Sequence, residues 1–386
     1  MSRNGRHLVK SRAVRPTMAR LLLAATMALA GACSNGSAGT GSSSGSSSGG
    51  GPPGGTTGGG TPASPYTLMP FQNTVITSDS SSPSFQHADA TVDFQDGPFQ
   101  TVTMQVQLTS PCFPFSSWEA VPNGQRWPPN CDAFDRNFEF SLDDPGPDGG
   151  PPGLELERAI TPFGGPLNLT VDITDVANGL PGPHTLRVVI PTYSDSAGKV
   201  SGSDGGWTVS AQITATPGPP PRNVLAVEPL FYGPIYVSTA SQQASIQVPA
   251  GTAYGRLEYR VTGHGQDSAP DSACIGPAEE FCKRTHLLSV DSQSIATLTP
   301  WRTNCSCTLA DAGHGIEYCV GNPCGDPQSV AAPRANWCPG SETPPFVFDA
   351  GSLAASGSHT VDWTIQRIDD GGGLWETSVT YFAIGQ

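Results

Sequence analysis

Three short stretches gather most of the residue types that could do chemistry in this chain. Residues 131–136 read CDAFDR and set Asp132, Asp135 and Arg136 directly after Cys131. Residues 278–286 read AEEFCKRTH and set Glu280 two positions before Cys282, while residues 334–340 read RANWCPG and set Arg334 and Trp337 just before Cys338. A carboxylate beside a guanidinium stays ionised and can orient or deprotonate a water molecule, which is the chemistry of assisted hydrolysis. If each cysteine is bridged, all three loops are clamped beside their polar groups, and preorganised groups are held in reactive geometry at lower entropic cost. Taken singly, each stretch also reads as an ordinary structural loop; the shared design makes a composite site the sharper expectation.

The elements that must carry these loops are strands. After CDAFDR, Phe138, Phe140 and Leu142 alternate with Asn137, Glu139 and Ser141, the period-2 pattern of a half-buried strand. TVTMQVQL at 101–108, LNLTVDIT at 167–174, WTVSAQI at 207–213, RLEYRV at 256–261, TVDWTIQ at 360–366 and SVTYFAI at 378–384 behave likewise, and no long segment has helical periodicity. Turns rich in Gly, Pro and Asp, such as DDPGPDGGPPG at 143–153, separate them. Many short alternating strands with such punctuation predict an all-β chain of sandwich or jelly-roll type. TPGPPPRN at 216–223 interrupts the series and reads as a stiff linker, dividing an N-terminal β-sandwich at 65–217 from a C-terminal one at 218–386.

The first 33 residues hold six Lys/Arg and no Asp/Glu, then the apolar run LLLAATMALA, then GAC. This is the pattern of a secretory signal peptide, with Cys33 placed as the lipidated residue of a bacterial lipoprotein; ordinary cleavage nearby is the other reading. Residues 34–64 are a Gly/Ser/Thr-rich tether that cannot bury enough apolar surface to offset ordering. The expectation is an extracytoplasmic protein, secreted or held by lipid at the bacterial membrane or cell surface, and monomeric. Without the leader's cations, 13 Lys/Arg stand against 33 Asp/Glu, a net charge of −20. Nucleic-acid backbones are therefore excluded as partners, since they demand clustered cations.

Ten cysteines fit an oxidising compartment. With Cys33 set aside nine remain, an odd number that leaves one unpaired or paired between chains. Zinc is the rival reading for CSC at 305–307 and CVGNPC at 319–324, but a nearby His pair is lacking, and disulfides are expected. No metal site and no cofactor are expected.

Together with ITPF, VDITD and VTGHG, the three opening stretches fall in the order and spacing of the peptide-N-glycosidase F family. The chain resembles that family from near residue 85 to its C-terminus. The resemblance implies two jelly rolls packed side by side, a fold shared with copper-dependent peptide hydroxylating monooxygenases. It implies hydrolysis of the amide between the innermost N-acetylglucosamine and asparagine of N-glycosylated proteins or peptides. On the family's pattern Asp135 is the principal catalytic carboxylate and Glu280 the second acid. Asp132, Arg136, Tyr193, Arg334 and Trp337 would contact substrate. The bridges implied are Cys112–Cys131 and Cys305–Cys338, with Cys274–Cys282 a substitute for a tighter bridge. The family's third acidic residue falls at Pro191, with Asp195 four positions on; Tyr193 and His264 each stand where the family has a tryptophan.

Other classes fit less well. A copper monooxygenase needs paired imidazoles, and His87, His184, His264, His286, His314 and His359 are scattered with no His-x-His. No Ser or Cys stands in a recognisable nucleophile context. The remaining alternative is a surface lipoprotein that binds glycan or glycopeptide without cleaving it, a reading that Pro191 favours.

Overall fold

A computed structural model describes residues 64–113, 132, 134–146, 149–192, 205–265, 272–303, 305 and 331–386. The leader with Cys33, most of the tether, Cys131, Tyr193, Asp195, Cys307, Cys319 and Cys324 lie outside the described residues. Among the described residues no helix is long and apolar enough to cross a membrane.

Eight strands build a first sandwich: β1 (Tyr66–Thr77), β2 (His87–Phe94), β3 (Phe99–Thr109), β4 (Asn137–Leu142), β5 (Leu154–Ile160), β6 (Leu167–Asp172), β7 (Gly182–Val189) and β8 (Gly206–Pro217). They form two four-stranded sheets, ordered β1-β8-β3-β6 and β2-β7-β4-β5. Eight more build a second sandwich: β9 (Val224–Tyr236), β10 (Ser241–Val248), β11 (Thr252–His264), β12 (Thr285–Val290), β13 (Gln293–Leu298), β14 (Phe346–Ala350), β15 (Gly357–Gln366) and β16 (Leu374–Gly385). Their sheets run β10-β15-β12-β13 and β14-β11-β16-β9. All the ladders between described strands are antiparallel. The all-β, two-sandwich architecture expected from strand periodicity is what the chain adopts.

Alternation explains the cores. In β3 the inward Val102, Met104, Val106 and Leu108 are buried while Gln105 and Gln107 face outward. They meet Phe138, Phe140, Leu186 and Val188 of the opposite sheet, with Trp207 fully buried among them. Each large apolar side chain so enclosed contributes about 1.5–3 kcal/mol. The second core gathers Ile246, Leu257, Tyr259, Trp363 and Trp375. Val227, Phe382 and Ile384 of the second sandwich pack into the first core, so apolar contact continues across the junction.

Two elements depart from the sequence reading. A short helix α1 (Thr174–Gly179) follows β6, where Thr174 Oγ1 accepts the Val102 N–H at 2.8 Å and anchors it to β3. Strand β5, LELERAI, is buried along its whole length, its acids and Arg158 included. Leu154 and Leu156 face the first core, while Glu155 and Arg158 meet the second sandwich. Arg158 donates to Glu155 Oε1 at 2.7 Å and Oε2 at 3.1 Å, and to Thr262 Oγ1 at 3.0 Å and the Glu376 carbonyl at 2.7 Å in β11 and β16. Glu139 of β4 lies 3.1 Å from Arg158 and accepts the Tyr232 hydroxyl of β9 at 2.6 Å. Ser378 of β16 donates to Glu155. Burial pushes the Glu376 carboxyl up to about 8, the Glu139 charge pushes the same way, and Arg158 opposes both.

Candidate active site

The Asp135 loop enters β4 and is braced from beneath. Asp132 is fully buried, and both its oxygens accept from Arg136, at 3.0 Å from Nε and 3.3 Å from Nη2. The Phe134 N–H also reaches Asp132 Oδ1 at 3.1 Å, and the Arg136 guanidinium lies 4.2 Å over the Phe134 ring. Thr161, just past β5, accepts the Arg136 N–H at 2.7 Å and donates its hydroxyl to the Phe134 carbonyl at 2.7 Å. With both neighbours locked, Asp135 projects from the loop with its side chain 22% exposed.

The second sandwich supplies the opposing groups. Arg334 Nη2 lies 3.7 Å from Asp135 Oδ2, and the Arg334 side chain is 1% exposed. Its guanidinium stands 4.6 Å over the Trp337 ring and 5.1 Å over the Phe281 ring. Main-chain bonds fix its position, with Arg334 and Arg302 exchanging N–H and carbonyl at 2.9 and 3.0 Å. The Ala335 N–H donates to the Glu280 carbonyl at 2.8 Å, and the Ala335 carbonyl accepts the Gly263 N–H at 3.0 Å, so the Glu280 loop, the Arg334 loop and the end of β11 are stitched together. A Cβ on Gly263 would meet the Ala335 Cβ at 2.6 Å, so glycine is what permits that approach. Disulfides Cys274–Cys282 and Cys305–Cys338 close the two loops. Cys112 is also disulfide-bonded.

The two adjacent glutamates divide the labour. Glu279 is fully buried and pairs with Arg284 at 2.6 Å, while its Oε1 accepts the Trp375 indole N–H at 3.0 Å. Glu280 is half-buried on the loop tied to Ala335, next to Arg334, close enough for the Asp135 and Arg334 charges to act on its carboxyl. Burial pushes the Glu280 carboxyl up to about 7, the Asp135 charge pushes the same way, and Arg334 opposes both. Burial also raises Asp135, while Arg334 and then Arg136 pull it back. Both carboxyls are raised above their ordinary values, and neighbouring carboxyls that act on each other in this way favour holding one proton between them, which suits an acid–base pair.

Not every sequence-derived contact residue faces this pair. Asp132 and Arg136 satisfy each other beneath the loop, so they hold Asp135 in place and present no surface to a sugar. Trp337 is 1% exposed, its indole N–H donates to the Gly263 carbonyl at 2.8 Å, and its ring stacks on His264 with centroids 5.3 Å apart. It is a shelf for Arg334. Pro191 is exposed at the centre of a tight turn in which the Thr192 N–H donates to the Ile190 carbonyl at 2.7 Å, and it brings no carboxylate. Phe134, Phe281 and Thr161 were not visible as site residues, since a ring under a guanidinium and a bracing hydroxyl have no spacing signature. Burial drives His264 down to about 3, so the imidazole stacked on Trp337 is neutral. Among the described residues no group of three His, Cys, Asp or Glu is placed to hold a metal.

Comparison with known proteins bears on the fold. Residues 232–380 match the family model described as Peptide-N-glycosidase F, C terminal. The fold is shared with PNGase F, described as a glycosylasparaginase from Flavobacterium meningosepticum, at 18% identity and a TM-score of 0.62 over 84% of this chain and 96% of that one. It is shared with a peptide-N(4)-(N-acetyl-beta-D-glucosaminyl) asparagine amidase at 19% identity and a TM-score of 0.62, over 83% and 96% of the two chains. PNGF-II is similar at 19% identity and a TM-score of 0.62, over 83% of this chain and 65% of that one. Among curated protein sequences no match was found.

Proposed function

We propose that this chain, which has the fold of peptide-N-glycosidase F and carries that family's C-terminal domain at residues 232–380, is an amidohydrolase acting on the N-glycan linkage. The bond cleaved is the amide between the innermost N-acetylglucosamine and asparagine. The observation that carries this reading is the convergence of Asp135 from the first sandwich with Arg334 and Glu280 from the second.

The roles follow from the electrostatics. Asp135, in the ionised form that Arg334 favours against the opposing effect of burial, accepts a proton from water as the water oxygen bonds to the asparagine side-chain carbonyl carbon. Arg334, charged and anchored, favours the ionised Asp135 before attack and counters the negative charge that passes to the carbonyl oxygen as Asp135 takes the proton. Glu280, holding its proton up to about pH 7, gives it to the amide nitrogen as the carbon–nitrogen bond breaks. The products are an aspartate in the peptide and a glycosylamine, which then loses ammonia to water. Substrates are N-glycosylated proteins or peptides that reach the protein outside the cytoplasm, where a lipid on Cys33 would tether it. The test is mass spectrometry of a denatured N-glycoprotein after incubation with the protein. Conversion of the glycosylated Asn to Asp is expected; an unchanged glycopeptide overturns the reading.

Pro191 favours one rival, a protein that binds glycopeptide without cleaving it, because an exposed proline supplies neither charge nor N–H at that strand end. Tight glycopeptide binding with no conversion would select it.

A further inference from the structure

We propose that the outer face of the sheet β1-β8-β3-β6 is a second binding site, for neutral oligosaccharide. Asp135 enters β4, in the opposite sheet of the same sandwich, so this face is separate from the candidate active site. The proposal does not depend on amide hydrolysis.

The face is built in rows. Register pairs Gln107 with Ser210 on one side and Asn168 on the other, and pairs Gln105 with Gln212 and Thr170. Two parallel lines of amides and hydroxyls therefore run across β8, β3 and β6. At the edge, β1 breaks register twice, between Leu68 and Phe71 and between Phe71 and Thr74. Such irregularities bend a strand and re-aim its side chains. Asn73 there adopts φ 52°, its N–H donates to Ser210 Oγ at 2.9 Å, and the irregular strand walls one side of a groove of about 500 Å³. Met69, Asn73, Gln105, Gln107, Ser210 and Gln212 line it.

The chemistry of that lining selects the ligand. Along the outward positions of β3, β6 and β8, Asp172 at the end of β6 is the charged residue and the others are amides and hydroxyls. Such a surface gives neither phosphate nor acidic peptide a counter-charge. Each carboxamide both donates and accepts, as a sugar hydroxyl does, so a row of them can follow alternating hydroxyls of either polarity. Met69, 46% exposed, offers an adaptable apolar contact to the C–H side of a sugar ring. The second sandwich's sheet β10-β15-β12-β13 is also poor in charge, yet there Gln243 is bonded to Asp362 at 2.6 Å and Thr364 to Ser241 at 3.0 Å. On the groove face Gln212 donates to Thr214 at 3.3 Å and Ser210 to Asn73 at 3.4 Å, so part of that lining is engaged within the sheet as well.

The test is native electrophoresis of the full chain through gels containing dissolved mannan, galactan or dextran, with thermal melting of every variant. Retardation by at least one of the three is expected. The exposed pair Gln105→Ala/Gln107→Ala should weaken it at least about ten-fold, the sum of several lost hydrogen bonds, without shifting the melting temperature. Asp135→Asn should leave it unchanged, which separates this face from the active site. No retardation by any of the three overturns the proposal, as does retardation that the double variant retains. Concentration-dependent dimers in sedimentation that the double variant abolishes would assign the face to a second copy of the chain and also overturn it.

Discussion

Asp135 and Arg334 lie on different sandwiches, and their side chains approach to 3.7 Å across the junction. The cation is buried and anchored, whereas the carboxylate is the part that water reaches. The geometry of the candidate site is therefore a property of how the two sandwiches dock.

Asp135→Asn keeps the size of the side chain and removes its charge. Turnover of a short N-glycopeptide should fall by more than about 10²-fold, in the range of a lost general base. The melting temperature should change little, because desolvating the charge already opposes the gain from Arg334. Near-normal turnover would dismiss Asp135 from the mechanism.

The acid role of Glu280 fixes the sign of the pH dependence. Its carboxyl titrates at about 7 in the folded chain against an ordinary 4.5, so kcat/KM should decline as pH rises through about 7. Glu280→Gln should lower activity and remove that decline. The same shift bears on stability: between pH 4.5 and about 7 the folded chain binds the extra proton, so this group's contribution is present below that window and fades as pH climbs through it. The Gln variant should consequently melt higher than the parent above pH 7. Denaturation scans at pH 5 and pH 8 compare the two directly.

Arg158→Met should destabilise the protein by about 3–5 kcal/mol, because Glu139 would lose the guanidinium 3.1 Å away and Glu155 would keep only the longer cation contact, to Arg260 at 3.6 Å. Adding Glu155→Gln should recover part of the loss. A double variant as unstable as the single one would show that the guanidinium's bonds to Thr262 and Glu376 carry the effect.

Reduction should disable the protein before it unfolds. Cys274–Cys282 and Cys305–Cys338 each close a loop beside Glu280 or Arg334 and each contributes roughly 2–4 kcal/mol. Dithiothreitol should abolish turnover while far-UV circular dichroism keeps its strand signal, and a chelator should have no effect. Loss of activity with a chelator alone would point to a metal.

Strand periodicity made the architecture legible because half-buried strands announce themselves by alternation, as in Phe138, Phe140 and Leu142. It does not reach the burial of β5, where both faces are enclosed: LELERAI alternates, but its polar positions face a second protein layer, and no local pattern distinguishes that layer from water. The residues of the candidate site were legible from their clustering beside cysteines. Their division into facing and bracing groups was not. CDAFDR gives Asp132 and Asp135 equal standing, and only the third dimension shows that the first is consumed by Arg136 while the second meets Arg334. Trp337 reads as an exposed ring beside a cysteine, yet its indole is buried because Gly263 lets the two backbones come close.

The polar surface of β5 also bears on how the chain reaches its final state. Most packed interfaces, before they close, present apolar patches that attract whatever is near. Here, beside the apolar contact that Val227, Phe382 and Ile384 make, the first sandwich, made earlier in synthesis, shows its partner a strip of Glu139, Glu155, Glu157 and Arg158, side chains that water solvates well. While it waits for β9, β11 and β16, that strip is hydrated and resists aggregation. The cost of stripping its water is met when Arg260, Tyr232 and Ser378 arrive to replace it. Assembly is thus guarded by solubility at the point where a chain with sixteen described strands would otherwise be most exposed to mispairing.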